Sequence, residues 1–130
     1  MNPERLRQKV QTFQKAVERL EDACRQPENE FIRDSVIQRF EFCHELAWKM
    51  LKARLELEGM EANTPRQVIE QSVTARFIQD GNRWTELQRM RNLTSHTYDE
   101  ALAGKVYGFV CREGLELFRA LREESSRWLP

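Results

Sequence analysis

The sequence has no excess of either charge. Its 130 residues include 21 basic and 21 acidic side chains, so no overall field draws the protein towards nucleic acid or an anionic membrane. Any contact with nucleic acid would have to come from a local basic patch.

Cysteine is scarce as well. Cys24, Cys43 and Cys111 are odd in number, widely spaced and set in helical patterns. This arrangement argues against a disulfide framework and against a zinc site. We expect reduced thiols, no metal ion and no cofactor in a cytoplasmic protein.

Long apolar runs are missing too. No uninterrupted apolar segment approaches the length of a membrane span, and the N-terminus does not resemble a signal peptide. The chain also has no strand-type alternation, internal repeat, low-complexity tract or long linker. We therefore expect a soluble protein without a membrane partner, folded as one domain over residues 1–130.

What the chain does contain is apolar residues at three- and four-residue steps, which predicts helices. The first stripe predicts a helix from about residue 3 to about residue 25, and the second a long helix from about residue 30 to Gly59. Thr64, Pro65 and Gln67 together give a strong start signal for a short third helix.

The second half continues the same pattern. The dipeptide Asp80-Gly81 predicts a turn, after which a fourth helix begins near Asn82 or Arg83. A last stripe predicts a fifth helix that runs to about residue 125. The expected fold is all-α, an antiparallel up-and-down four-helix bundle with an additional short helix.

Chemically active side chains are concentrated in the octapeptide RNLTSHTY, residues 91–98. Arg91 can stabilise negative charge on a phosphate, His96 can move a proton near pH 7, and Tyr98 can act as a nucleophile or a modification site. Helical spacing places Arg91 on the apolar face of the fourth helix, pointing inward or into a groove.

The residues that follow predict how the fifth helix begins. Thr97 and Glu100 match a capping box with Thr97 as the N-cap, which puts His96 just outside the helix and Tyr98 in its first turn. Free backbone N–H groups and the helix dipole would favour a phosphate there. The charges of Asp99 and Glu100 oppose that effect.

The spacing Arg-x4-His-x-Tyr resembles the active motif of HEPN domains, particularly those paired with small nucleotidyltransferases, as in HepT-like proteins. Residues 33–42 and 45–49 resemble the second helix of the nucleotidyltransferase substrate-binding proteins. The turn Thr64-Pro65-Arg66 resembles the one that opens their third helix. The resemblance covers nearly the whole chain in the right order.

The resemblance implies, first, a substrate-binding partner subunit that forms a homodimer and associates with a separately encoded small nucleotidyltransferase. The chain has no Gly-Ser dipeptide to open a nucleotidyltransferase loop and no paired-aspartate motif for Mg²⁺. Nucleotidyl transfer would therefore be performed by the partner.

The resemblance implies, as an alternative, a HepT-like toxin of a toxin–antitoxin pair, a metal-independent endoribonuclease acting on RNA. His96 would be the general acid or base, Arg91 would stabilise the charged phosphorane, and Asn92 would help to position the phosphate. The nucleotidyltransferase antitoxin would neutralise the toxin by adenylylating Tyr98.

A third alternative is a purely structural dimeric helical bundle. Arg91 would then form a structural salt bridge to Glu41 or Glu45 on the second helix. His96 would be a polar loop residue and Tyr98 a half-buried aromatic. Replacing these three motif residues would then cost stability only.

Three residues outside the motif also have candidate roles. His44 lies on the apolar stripe of the second helix, so we interpret it as a hydrogen-bonded core histidine rather than a second catalytic group. Arg39 and Lys49 are candidate substrate-binding residues of a local basic patch, although solvated surface charge is the simpler interpretation of each.

Overall fold

The structure is a computed structural model that describes residues 3–129, so residues 1, 2 and 130 of the predicted domain lie outside the described residues. It consists of helices joined by short loops, and within the described residues no β-strand occurs. The helices are α1 (Pro3–Cys24), α2 (Glu30–Leu57), α3 (Pro65–Thr74), α4 (Gly81–Leu93), α5 (Glu100–Phe109) and α6 (Leu115–Ser126). A 3-10 turn, Thr94–His96, follows α4, and a π-helical turn, Val110–Gly114, joins α5 to α6.

The long helices form the predicted bundle. Helix α1 packs against α2 and α6, while α5 packs against α2 and α4. Helix α3 is the additional short helix and lies against α2 and α4. The prediction of an all-α four-helix bundle with one short helix is confirmed. Among residues 3–129, no helix combines the length and apolar character needed to cross a membrane.

The core is centred on Phe118 of α6. Its ring centroid lies 6.1 Å from that of Phe13 on α1, 6.1 Å from Phe40 on α2 and 6.0 Å from Trp84 on α4. All four side chains are buried. Aromatic pairs in edge-to-face and tilted arrangements add stability beyond the burial of their surface. One residue of α6 therefore contacts three other helices and helps to fix the position of α4, at whose end the motif begins.

Helix starts follow the cap residues. The side chain of Thr64 accepts a hydrogen bond from Gln67 N at 3.2 Å, so the predicted start of α3 is confirmed. Helix α4 begins at Gly81, slightly before the expected Asn82 or Arg83, because Asp80 is its N-cap and accepts from Arg83 N at 3.1 Å. The dipeptide predicted as a turn is in fact the start of the helix.

The predicted start of α5 is wrong. Asp99, not Thr97, is the N-cap, and its Oδ1 accepts from Ala101 N at 2.9 Å and from Leu102 N at 3.2 Å. The Thr97 hydroxyl instead donates to the Thr94 carbonyl at 3.1 Å. A carboxylate that satisfies two free amides is the better cap, while the threonine completes the preceding turn. Tyr98 consequently lies before the helix rather than in its first turn.

Candidate functional site

Arg91 is held at the junction of α4 and α2. Its Nη1 donates to Thr94 Oγ1 at 2.9 Å, and that hydroxyl donates back to the Arg91 carbonyl at 2.7 Å. Its Nη2 lies 3.7 Å from Glu41 Oε2 on α2. The Arg91 side chain is one-third exposed, so it is neither in the core nor free in solvent. Of the two expected carboxylate partners, Glu41 is the one that the structure pairs with it.

His44 lies on the inner side of this junction. It is buried, with its ring centroid 6.5 Å from that of Phe40. Burial lowers the pKa of His44 to about 4, against the opposing effect of the nearby Gln88 side chain. The nearby positive charge of Arg91 lowers the pKa further. His44 is therefore neutral at pH 7, as expected for a core histidine.

His96 and Tyr98 lie on the solvent-exposed side of this junction. Both are exposed, and their ring centroids are 6.2 Å apart with planes at 76°. Tyr98 is 85% exposed, rather than half-buried as in the purely structural alternative. A large aromatic residue in this position is open to a reacting group or a partner protein.

The N-terminus of α5 is a poorer anion site than the sequence suggested. The carboxylate of Asp99 already occupies the amides of Ala101 and Leu102, which a phosphate would need. Its negative charge would also repel an anion that the helix dipole attracts. Any phosphate bound by the motif would therefore have to be held by Arg91 and the polar side chains of the preceding turn.

The other predicted site residues are held by different partners. Asn92 is exposed and accepts from Gln88 Nε2 at 3.3 Å. Arg39 donates to the Arg19 carbonyl on α1 at 2.7 Å. Lys49 pairs with Glu45 at 2.9 Å. Arg39 is thus directed towards α1, and Lys49 is engaged within α2, so these two do not extend the Arg91 site into one basic patch.

Thr94 is the residue that sequence reasoning missed. It is buried, and its hydroxyl both orients the Arg91 guanidinium and closes the last turn of α4. The signal present in the sequence was a threonine three residues after an arginine at a predicted helix end, where a hydroxyl can bond back to the backbone.

Comparison with known proteins places the bundle in one family. The family model described as "Nucleotidyltransferase substrate binding protein like" matches residues 8–127. The chain belongs to this family. The match covers nearly the whole chain, so the family resemblance predicted from the sequence is confirmed.

One curated relative in Haemophilus influenzae is named Probable ribonuclease HepT. It is 34% identical over 76 residues, which are 55% of this chain and 52% of that protein. The aligned segment thus spans about half the length of this relative.

Two solved structures share the fold over nearly their full lengths. A crystal structure of a protein from Thermus thermophilus has a TM-score of 0.75 and 30% identity, covering 89% of this chain and 98% of that one. A Haemophilus influenzae structure, described as revealing the fold of a substrate binding domain of a nucleotidyltransferase, has a TM-score of 0.71 and 27% identity. That match covers 96% of this chain and 99% of the other.

Proposed function

We propose that this chain is the substrate-binding partner subunit of a two-component minimal nucleotidyltransferase system in the cytoplasm, acting as a single HEPN-type domain. The observation that carries the proposal is the family match over residues 8–127. The likeness to a solved substrate binding domain of a nucleotidyltransferase, over 96% of this chain, supports it. Nucleotidyl transfer itself is assigned to a separately encoded small nucleotidyltransferase.

Tyr98 is the group through which the partner would act on this chain. Its phenol oxygen would attack the α-phosphorus of ATP bound to the nucleotidyltransferase, forming a tyrosine–AMP ester and releasing pyrophosphate. The phenol proton would pass to a base in the joint site. The 85% exposure of Tyr98 and its place before α5 leave room for a second protein to reach this oxygen.

The subunit is also proposed to form a homodimer. Phe31 and Phe42 of α2 are 78% and 56% exposed, and they lie about three helical turns apart on one face. Exposed aromatic residues on one face are typical of a protein contact. Light scattering tests this assignment, because replacing both with serine should convert the dimer to a folded monomer. A parent that is already monomeric at all concentrations would overturn it.

A ribonuclease function is the second candidate, and the relative named Probable ribonuclease HepT favours it. His96 would be the acid or base, Arg91 would stabilise the phosphorane and Asn92 would position the phosphate. Arg91 and Glu41 lie 3.7 Å apart and both side chains are partly exposed, so their ion pair is weak. An RNA phosphate could therefore compete with Glu41 for the guanidinium.

Growth on expression of the chain alone distinguishes the two candidates. The parent is compared with His96→Ala and Arg91→Ala, whose folding is checked by circular dichroism. Arrest by the parent that both folded variants abolish would establish the ribonuclease. Harmless expression of the folded parent would favour the partner subunit.

Co-expression with the small nucleotidyltransferase of the same genome tests the main proposal directly. We expect the two proteins to co-purify and the parent to gain the mass of one AMP, which Tyr98→Phe should lose without losing the complex. Independent elution of the two proteins, with no added mass, would contradict the proposal.

A further inference from the structure

Two cysteines far apart in the chain meet in the fold. Cys24 is the last residue of α1, and Cys111 lies in the π-helical turn. They are separated by 87 positions, yet their Sγ atoms are 2.7 Å apart. Both side chains are only partly buried, so solutes can reach them, whereas Cys43 is fully buried in the core.

The surroundings give the two thiols different acidities. The hydrogen bond with Cys24 is the main cause that lowers the pKa of Cys111, and one with Tyr107 adds to it, while burial and Glu28 oppose them. The same sulfur–sulfur hydrogen bond, with burial, raises the pKa of Cys24 despite the nearby Arg119. The first proton is therefore lost from Cys111, and the thiolate is the nucleophilic form of cysteine.

We propose that Cys24 and Cys111 form a redox-active pair that closes to a disulfide when the protein meets a hydroperoxide. With hydrogen peroxide, the Cys111 thiolate attacks one oxygen and becomes a sulfenic acid, and the hydroxide that leaves takes up the proton lost by the thiol and becomes water. The Cys24 thiol then attacks that sulfur and a second water leaves. Two thiols are oxidised by two electrons in total, and one peroxide is reduced to two waters.

The link would join the end of α1 to the junction of α5 and α6. It would enclose residues 24–111, which include α2, α3, α4, the motif and α5. A disulfide that closes so long a loop restricts the unfolded chain and stabilises the folded one. The modification is independent of the proposed function, since neither cysteine lies in the motif at residues 91–98.

Peptide mapping of the folded parent after treatment with hydrogen peroxide tests the pair. We expect an intramolecular Cys24–Cys111 crosslink while Cys43 stays a free thiol, because burial raises the pKa of Cys43 to about 12. The oxidised protein should unfold at a temperature at least about 5 °C higher than the reduced one. Retention of all three thiols, or a crosslink that involves Cys43, would overturn the inference.

Single variants assign the roles. Cys24→Ser should stop at a sulfenic acid on Cys111 that dimedone traps, and Cys111→Ser should form neither the crosslink nor the dimedone adduct. Both substitutions lie at partly buried positions, so circular dichroism should show the parent helix content. A dimedone adduct on Cys24 in Cys111→Ser, formed as fast as the adduct on Cys111 in Cys24→Ser, would contradict the assignment of Cys111 as the nucleophile.

Discussion

His44 illustrates how a single buried residue couples stability to pH. It is 4% exposed, and its pKa in the folded protein is about 4, below the ordinary value of 6.5. The charged groups that influence it are Arg91 on α4, which lowers its pKa, and Glu45 on α2, which raises it. Protonation would place a positive charge in the core beside the arginine, so the folded state resists it.

Stability should therefore fall as the pH decreases through this window. Between pH 6.5 and about 4 the unfolded chain binds more protons than the folded one, so the free energy of unfolding decreases by up to about 1.4 kcal/mol per pH unit from His44 alone. Urea denaturation of the parent and of His44→Gln should show the stability difference shrinking over this range. A difference that stays constant with pH would contradict a neutral, buried His44.

The Arg91–Glu41 pair is a second residue-scale feature with a measurable consequence. Because both side chains are about one-third exposed, Glu41→Gln should change stability by less than about 1 kcal/mol. It should also free the guanidinium, so that a short single-stranded RNA binds more tightly in fluorescence anisotropy. Glu86→Gln is the matched control, since it frees the exposed Arg89 on the same helix. Equal effects of the two substitutions would argue against an anion site at Arg91.

At the scale of the element, two helices end at a residue with left-handed backbone conformation, which is a glycine in one case and an arginine in the other. Gly59 follows α2 with φ of +75°, and Met60 N and Gly59 N donate to the carbonyls of Leu55 and Glu56. Arg76 follows α3 with φ of +65°, and it is the one non-glycine residue with positive φ among those described. Only glycine adopts this conformation without a steric cost.

Substitutions at these two helix ends should change the stability of the protein in opposite directions. Gly59→Ala should destabilise the protein by about 1 kcal/mol, although its Cβ would meet no neighbour, because the backbone conformation is strained. Arg76→Gly should be stabilising by up to about 1 kcal/mol for the same reason. Guanidinium denaturation measures both. A destabilising Arg76→Gly would mean that the arginine side chain contributes more than the strain costs.

Helix starts show which local features can be predicted from sequence. Thr64 stands directly before a proline, which favours the first position of a helix, so Thr64 rather than the neighbouring Asn63 is the N-cap and the start of α3 is predicted correctly. Thr97 and Asp99 are both good caps two residues apart, and the hydrogen bond of Thr97 to the preceding turn decides between them. That bond depends on the conformation of the turn, which residue spacing does not reveal.

At the scale of the whole molecule, one carboxylate joins the first helix to the last. Glu21 of α1 is 13% exposed and accepts from Arg119 Nε at 2.7 Å and from Arg122 Nη1 at 2.7 Å. Hydrogen bonds from Arg122 and then from Arg119 lower the pKa of Glu21 to about 2, against the effect of burial. The pair of arginines thus connects the first and last helices of the bundle.

Glu21→Gln should therefore destabilise the protein by about 2 kcal/mol at pH 7, because two guanidinium groups lose a charged acceptor. The contribution is present above pH 4.5 and is lost as the pH falls from 4.5 to about 2. Thermal unfolding of Glu21→Gln beside Glu4→Gln, an exposed carboxylate on the same helix, measures it. Equal losses in the two variants would show that net charge, and not this contact, is responsible.

The general architecture was predictable because helical periodicity repeats along the chain and each helix has one apolar face. The family was recognisable from the sequence, and the structural alternative expected a carboxylate of the second helix, such as Glu41 or Glu45, as the partner of Arg91. The choice of Glu41, and the meeting of Cys24 with Cys111, could not be predicted. Both depend on how helices distant in sequence are rotated against each other, which only the packed structure determines.

The π-helical turn explains how the buried residues of α5 and α6 stay on one face of the helix. Val106, Val110, Gly114 and Phe118 are buried at three successive steps of four residues. An ideal α-helix turns 100° per residue, so these steps would carry the stripe about 120° around the helix. The wider turn at Val110–Gly114 takes up this drift.

The turn therefore holds one surplus residue inside an otherwise continuous helix. If the π-helical turn became regular α-helix without loss of a residue, α6 would rotate by about 100° relative to α5. Phe118 would then leave the centre of the core, and Arg122 would turn away from Glu21. If one residue were deleted from this turn, a regular α-helix would place the side chains of Val106 and Phe118 within about 20° of each other around the helix axis. No π-helical turn would then be needed. The bundle is thus compatible with two lengths of its last helix, and this chain has the longer one.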